Sequence, residues 1–156
     1  MRRILKRHEV TADDADLIIV PLAELRKDTD AWLARARQGR LGVRLAPAES
    51  PEGLADVLPH LALVAIEFPN VGDGRGFSYA RLLRQRMGFK GELRAVGDGV
   101  KQDKIFLLAR VGFESFELPP EENATEALAA FERYDVVYQP RGGRRDLPAP
   151  ASISAL

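Results

Sequence analysis

The chain has 156 residues, with 23 basic and 23 acidic side chains, two histidines (His8 and His60) and no cysteine. That length suits one domain with a real core. The missing thiols exclude disulfides, a thiolate nucleophile and any Cys-held zinc or iron–sulfur centre, and two distant histidines make a transition-metal site unexpected. No apolar run nears the roughly 20 residues that span a bilayer, and the basic start lacks the apolar core of a signal peptide, so a cytoplasmic chain with no membrane partner is expected.

Residues 1–15 carry no clear period and read as an N-terminal arm, or as a short strand at Arg3–Leu5. A single α/β domain is expected over 16–139. Leu17-Ile18-Ile19-Val20 is β-branched and stops at Pro21. Asp28 or Thr29 then caps a helix through Gln38, with Trp32, Leu33 and Ala36 on one face and Gly39 past its end. Gly42-Val43-Arg44-Leu45 is the next strand. Ser50-Pro51 opens a helix in the usual way, cap followed by proline, and that helix buries Leu54, Val57 and Leu58 before ending near Pro59.

Leu61-Ala62-Leu63-Val64-Ala65-Ile66 is an unbroken apolar run, the pattern of a strand buried on both faces. Pro69, Gly72, Gly74 and Gly76 then force the chain to turn. From Ser78 to Met87 the apolar positions recur at helical spacing, and Gly88 ends the helix. Strand, Gly-rich loop, helix is the arrangement in which α/β proteins place ligands. Glu92–Val96 follows as a strand, then the sharp turn Gly97-Asp98-Gly99 and a helix from Gln102 to Val111 burying Ile105, Leu108 and Ala109, with Gly112 as its stop. Phe116–Leu118 is a further strand. Asn123 with Glu126 forms a capping pair for a helix to Arg133. Val136–Tyr138 is a last short strand, and 140–156, rich in Gly, Arg, Pro, Ala and Ser, reads as a disordered tail.

Arg86-Met87-Gly88-Phe89 recurs as Arg110-Val111-Gly112-Phe113, each ahead of a strand carrying Glu-Leu. One βα unit therefore repeats. Such units need parallel strands with right-handed crossovers. The fold class is α/β with a mainly parallel sheet, either open and doubly wound or a half (β/α) barrel. Four or five units are too few to close a barrel of eight, and completion by a homodimer stays open.

In such a sheet the loops after the strands open on one edge. Phe68–Phe77 and Gly97–Lys101 should be neighbours there, gathering Asp73, Arg75, Asp98 and Lys101. Helix starts with free N–H groups favour an anion, and Gly74 and Gly76 would admit a small oxyanion or phosphate-bearing ligand. The plainer alternative is a Gly-rich turn with an internal Asp73–Arg75 contact. The dinucleotide fingerprint is incomplete, since Tyr79 stands where its last glycine belongs. Arg94 interrupts an apolar strand and Glu67 ends another. Either they pair across the sheet, or Arg94 faces the ligand edge, where a guanidinium grips an oxyanion with paired hydrogen bonds. Ser78 lacks a histidine base and reads as a helix cap. Arg81 and Arg84 share a helix face and could meet an acidic partner. Residues 75–110 hold nine Lys or Arg against three acidic residues. Without an overall basic balance or interleaved aromatics, this local excess suits an anion or an acidic protein surface better than nucleic acid.

Phe68-Pro69, Asp73-Gly74-Arg75-Gly76-Phe77-Ser78-Tyr79-Ala80-Arg81-Leu82-Leu83-Arg84, Gly91-Glu92-Leu93-Arg94-Ala95-Val96-Gly97-Asp98 and Arg110-Val111-Gly112-Phe113 together resemble the signature of a bacterial family, domain of unknown function nine-three-four. Gly42-Val43-Arg44-Leu45 resembles it too, and the resemblance spans roughly Leu17–Tyr138. Members are commonly described as oxidoreductases of sulfite reduction, because they accompany sirohaem sulfite reductase. The resemblance implies an accessory protein of assimilatory sulfite reduction, oxidoreductase-linked, with an anion held by the Asp73/Arg75/Arg94/Asp98 cluster. The alternative is a non-catalytic partner that docks through its basic face on sulfite reductase or its electron donor. After Asp98 the chain departs from the family pattern, with Gly99-Val100-Lys101-Gln102-Asp103 replacing a more usual apolar pair.

Overall fold

The computed structural model describes residues 3–6, 9–12, 16–38, 40–70, 72–101, 103–121 and 123–129. The expectations for His8, Gly39 and Gln102, for the helix beyond residue 129, for the strand Val136–Tyr138 and for the tail 140–156 lie outside them.

Among the described residues seven strands form one sheet: β1 (Arg3–Lys6), β2 (Glu9–Ala12), β3 (Ile18–Pro21), β4 (Leu41–Leu45), β5 (Leu63–Glu67), β6 (Glu92–Val96) and β7 (Ser115–Leu118), in the order β2-β1-β7-β6-β5-β4-β3. The five strands from β3 to β7 are parallel and sit side by side in chain order. β1 joins β7 antiparallel and β2 folds back on β1. Of the two readings of the first fifteen residues, the short strand at Arg3–Leu5 holds, and with β2 it supplies an edge of the same sheet. The sheet is open and not closed into a barrel.

Strand order decides between the two arrangements left open by the sequence. A doubly wound sheet reverses direction at a switch point. Here each strand is added on the same side of the last, so right-handed crossovers put every connecting helix on one face. The core shows it. Val43, Leu45, Val64, Ile66, Leu93, Ala95 and Phe116 pack with Leu25 and Ala36, with Ala80 and Leu83, and with Ile105 and Leu108 in one buried cluster. The opposite residues of the same strands, Leu63, Ala65 and Val96, form a small separate cluster with Leu17 and Ile19. Among the described residues no helix contributes to that second face.

The helices follow local chemistry. α1 (Leu22–Lys27) was not expected, and no side chain caps its start. Asp28 then caps α2 (Thr29–Ala36), its carboxylate accepting from the Ala31 N–H at 3.2 Å. The helix expected after Ser50 is instead a pair of 3₁₀ turns, Pro51–Leu54 and Leu58–His60, with Ser50 accepting from Glu52 N–H. Leu54 and Val57 are fully buried as expected, because tight turns suffice to bring them to the core. Arg26 of α1 grips Asp56 with two hydrogen bonds of 3.2 and 3.0 Å and ties these segments together.

α3 (Arg75–Arg81) starts three residues before the expected Ser78 and runs into a π-helical turn, Leu82–Arg86, where the Met87 N–H reaches back five residues to Leu82. α4 (Ile105–Arg110) follows β6. Residues 124–129 are helical, and the Asn123 side chain accepts from the Glu126 N–H at 3.0 Å, as the capping pair predicts. The repeated Gly-Phe pairs also hold. Gly88 and Gly112 stop their helices at φ of 69° and 114°, and Phe89 and Phe113 are buried below the next strands. Only glycine takes such angles without strain.

Candidate functional site

The loops after β5 and β6 are neighbours, as the parallel order requires. Gly99 N–H donates to the Phe68 carbonyl at 2.7 Å, and a Cβ on Gly97 would stand 2.5 Å from that same oxygen. Tight backbone contact, not ligand approach, explains these glycines. Gly76 is similar: a Cβ there would stand 2.3 Å from the Phe68 ring, so the residue lets the first turn of α3 sit on that ring. Of the glycines in these two loops, Gly74 has nothing within 4 Å of where a Cβ would be.

Within the loop the charges satisfy one another. Arg75 donates through Nε and Nη2 to Asp73 at 3.1 and 2.7 Å, and its N–H donates to the same carboxylate at 3.1 Å. The Arg75 side chain first, and its N–H second, hold the Asp73 carboxyl below the usual range. Lys101 bonds Glu121 at 3.0 Å. Asp98 is exposed and makes no hydrogen bond or ion pair among the described residues. Ser78 is corrected from cap to an exposed residue inside α3; Gly74 holds the cap position because the helix starts earlier.

Arg94 is not at this edge. It is 4% exposed, two residues inside the end of β6, on the face away from the helices. The sequence offered Glu67 as its partner; the structure pairs it with Glu92 at 3.1 Å and with the Ser115 hydroxyl at 3.1 Å. Ser115 in turn donates to Glu92 at 2.6 Å, and Lys6 of β1 donates to Glu92 at 3.0 Å. Burial opposes ionisation of Glu92, but Ser115, Lys6 and Arg94 together outweigh it and hold the carboxyl below its usual range. Glu67 faces Arg44 at 3.6 Å instead. The register explains the exchange: Arg94 lies level with Ser115 on one side and Ala65 on the other, while Arg44 lies level with Ala65.

Arg84 is also placed differently from Arg81. Its guanidinium donates to the carbonyls of Phe89 and Gly91, both at 2.8 Å, and to Glu114 at 2.8 Å, and lies over the Phe89 ring. It staples the π turn to the loops before β6 and β7. Arg81 and Arg86 stay exposed and make no ion pair or hydrogen bond among the described residues.

A half-open cleft of about 430 Å³ lies at the other edge of the sheet, lined by Leu58, Leu61, Met87 and Phe89 with Lys90. It does not adjoin the loops after the strands. Among the described residues no three His, Asp or Glu side chains gather as metal ligands, and no helix is long and apolar enough to cross a membrane. Arg44, Glu92 and Ser115 carry the charged face together with Arg94, and of these only Arg94 stood out in the sequence. The usable signal was alternation in β6 and β7, where Glu92 and Arg94, and Ser115 and Glu117, stand two residues apart.

Sheet and site together define an open α/β protein, wound on one side, with helices on one face and a charged network across the other. The chain belongs to a family described as bacterial protein of unknown function (DUF934), whose pattern matches residues 42–148. No curated protein matches it.

Proposed function

We propose that this chain is a non-catalytic accessory protein of assimilatory sulfite reduction, acting in the cytoplasm, which docks on sulfite reductase or its electron donor through the basic surface of α3 and its π turn. One observation carries the docking reading. The cations expected to hold a ligand at the loop edge are spent on internal partners, Arg75 on Asp73 and Lys101 on Glu121, whereas Arg81 and Arg86 stand exposed. Exposed cations with no internal partner steer an acidic protein surface. The sulfite context rests on the family resemblance.

Binding of the purified chain to sulfite reductase, and separately to its electron donor, tests this. The double variant Arg81→Glu, Arg86→Glu should bind at least about tenfold more weakly, roughly 1.4 kcal/mol, and native binding should weaken with salt. No association with either partner overturns the docking role. A second reading, an oxidoreductase-linked protein holding an oxyanion at the loop edge, is favoured by the open space around Gly74. A flavin or haem band in the absorption spectrum of the purified protein would decide for it.

A further inference from the structure

Three cations share one row across the charged face. Arg44 on β4, Arg94 on β6 and Lys6 on β1 stand at every second strand, with Ala65 and Ser115 between them. Strands lie about 4.8 Å apart, so successive cations start about 10 Å from each other. Lys6 and Arg94 both converge on Glu92. Arg44 differs.

Its only ion pair among the described residues is with Glu67, at 3.6 Å, and it makes no hydrogen bond there. Other pairs in this protein close fully: Arg75–Asp73 at 2.7 Å and Arg84–Glu114 at 2.8 Å. The Arg44 and Glu67 side chains are 37% and 30% exposed, so both are partly desolvated yet reachable. On the other side of Arg44, β3 offers Pro21, which has neither a polar side chain nor an N–H. The next charge beyond Ala65 is Arg94, already bonded to Glu92 and Ser115. Five guanidinium donors are therefore left at the carboxyl ends of parallel strands, the edge where open α/β sheets bind ligands.

The carboxylate beside Arg44 restricts what can bind. An anion with acceptors alone would gain the guanidinium but meet the repulsion of Glu67. A ligand that also bears an acidic O–H meets both demands, with two oxygens accepting from Arg44 and the hydroxyl donating to Glu67. We propose that Arg44 and Glu67 form a binding site for a small oxyanion in its singly protonated form. The site is separate from the α3 docking surface and does not depend on it.

Inorganic phosphate is a suitable probe, because it is mostly H₂PO₄⁻ near pH 6 and mostly HPO₄²⁻ near pH 8. Binding is followed by the amide chemical shifts of residues 42–45 and 65–68 in the full chain. Saturable binding is expected near pH 6 and severalfold weaker binding near pH 8, in step with the smaller share of H₂PO₄⁻. Arg44→Gln should abolish it at both values. Glu67→Gln should remove the pH preference while keeping binding, since a neutral amide repels neither form. Arg44→Lys keeps the charge and loses the planar fork, and should bind about tenfold more weakly; it serves if Arg44→Gln fails to fold. Absence of saturable binding near pH 6, binding that survives Arg44→Gln, or a pH preference that survives Glu67→Gln overturns the proposal.

Discussion

The two faces of the sheet are made from alternate residues of the same strands, yet they are built on different principles. On one face Leu93, Val64, Ile66 and Phe116 meet helices and are fully or nearly buried. On the other, residues one position along, Arg94, Glu92 and Ser115, form a cross-strand hydrogen-bonded network beside a small apolar patch, and Glu67 faces Arg44. The first face is set by the loss of apolar surface to water, which is nondirectional and tolerant of exchange. The second depends on hydrogen bonds with fixed partners, and a missing partner there is penalised. One face holds the fold; the other fixes particular atoms in particular places.

That contrast can be broken most forcefully on the helix face. Phe116→Ala leaves a cavity under the central strands and should cost about 3–5 kcal/mol in denaturant unfolding. A loss under 1 kcal/mol would mean that this face is not the core. On the charged face, Glu92→Gln keeps shape but strips Lys6, Arg94 and Ser115 of their shared acceptor charge, and should cost about 1.5–3 kcal/mol near neutral pH. Its pH dependence sharpens the comparison. The Glu92 carboxyl is held below its usual range in the fold, so its contribution is complete above the unfolded carboxyl's pKa and fades as pH falls through the lower folded value. The gap between native and Glu92→Gln stability should therefore narrow on acidification, while the Phe116→Ala gap stays nearly constant. Parallel curves for both variants would remove the distinction. The smallest effect is expected outside both faces: Asp28→Ala loses one helix cap and should cost about 1 kcal/mol.

The sequence carried the helix face well. The run Leu61–Ile66 became β5, the Asp28 and Asn123 caps formed as expected, and both Gly-Phe pairs closed their helices. These are local signals, each contained within a few residues. The charged face was legible only in part. Arg94 stood out against its apolar neighbours, but its partners depend on which strand lies on which side and in what register. Ser115 and Glu92 look unremarkable until β6 and β7 are paired. Arg84 shows the same limit, because its acceptors include a carbonyl 28 residues away. The π turn escaped notice because one extra residue in a turn hardly changes an apolar period. α1 was missed because nothing caps it, and Ser78 misled because it resembles a cap where Gly74 does that work without a side chain.

The antiparallel edge has a consequence for how the chain is made. β1 is made before the other six strands of this sheet, yet besides β2 its partner is β7, with Leu5 opposite Phe116. Strands β4 to β7 can each dock on the one before as they emerge, but the β1–β2 pair has no place in the sheet until residue 118 has left the ribosome. Contacts of such long sequence separation are slow to form, and domains are completed as synthesis proceeds from the N-terminus. The N-terminal hairpin is therefore the last part of the sheet to be fixed. Lys6 then reaches Glu92 only when β1 is seated on β7.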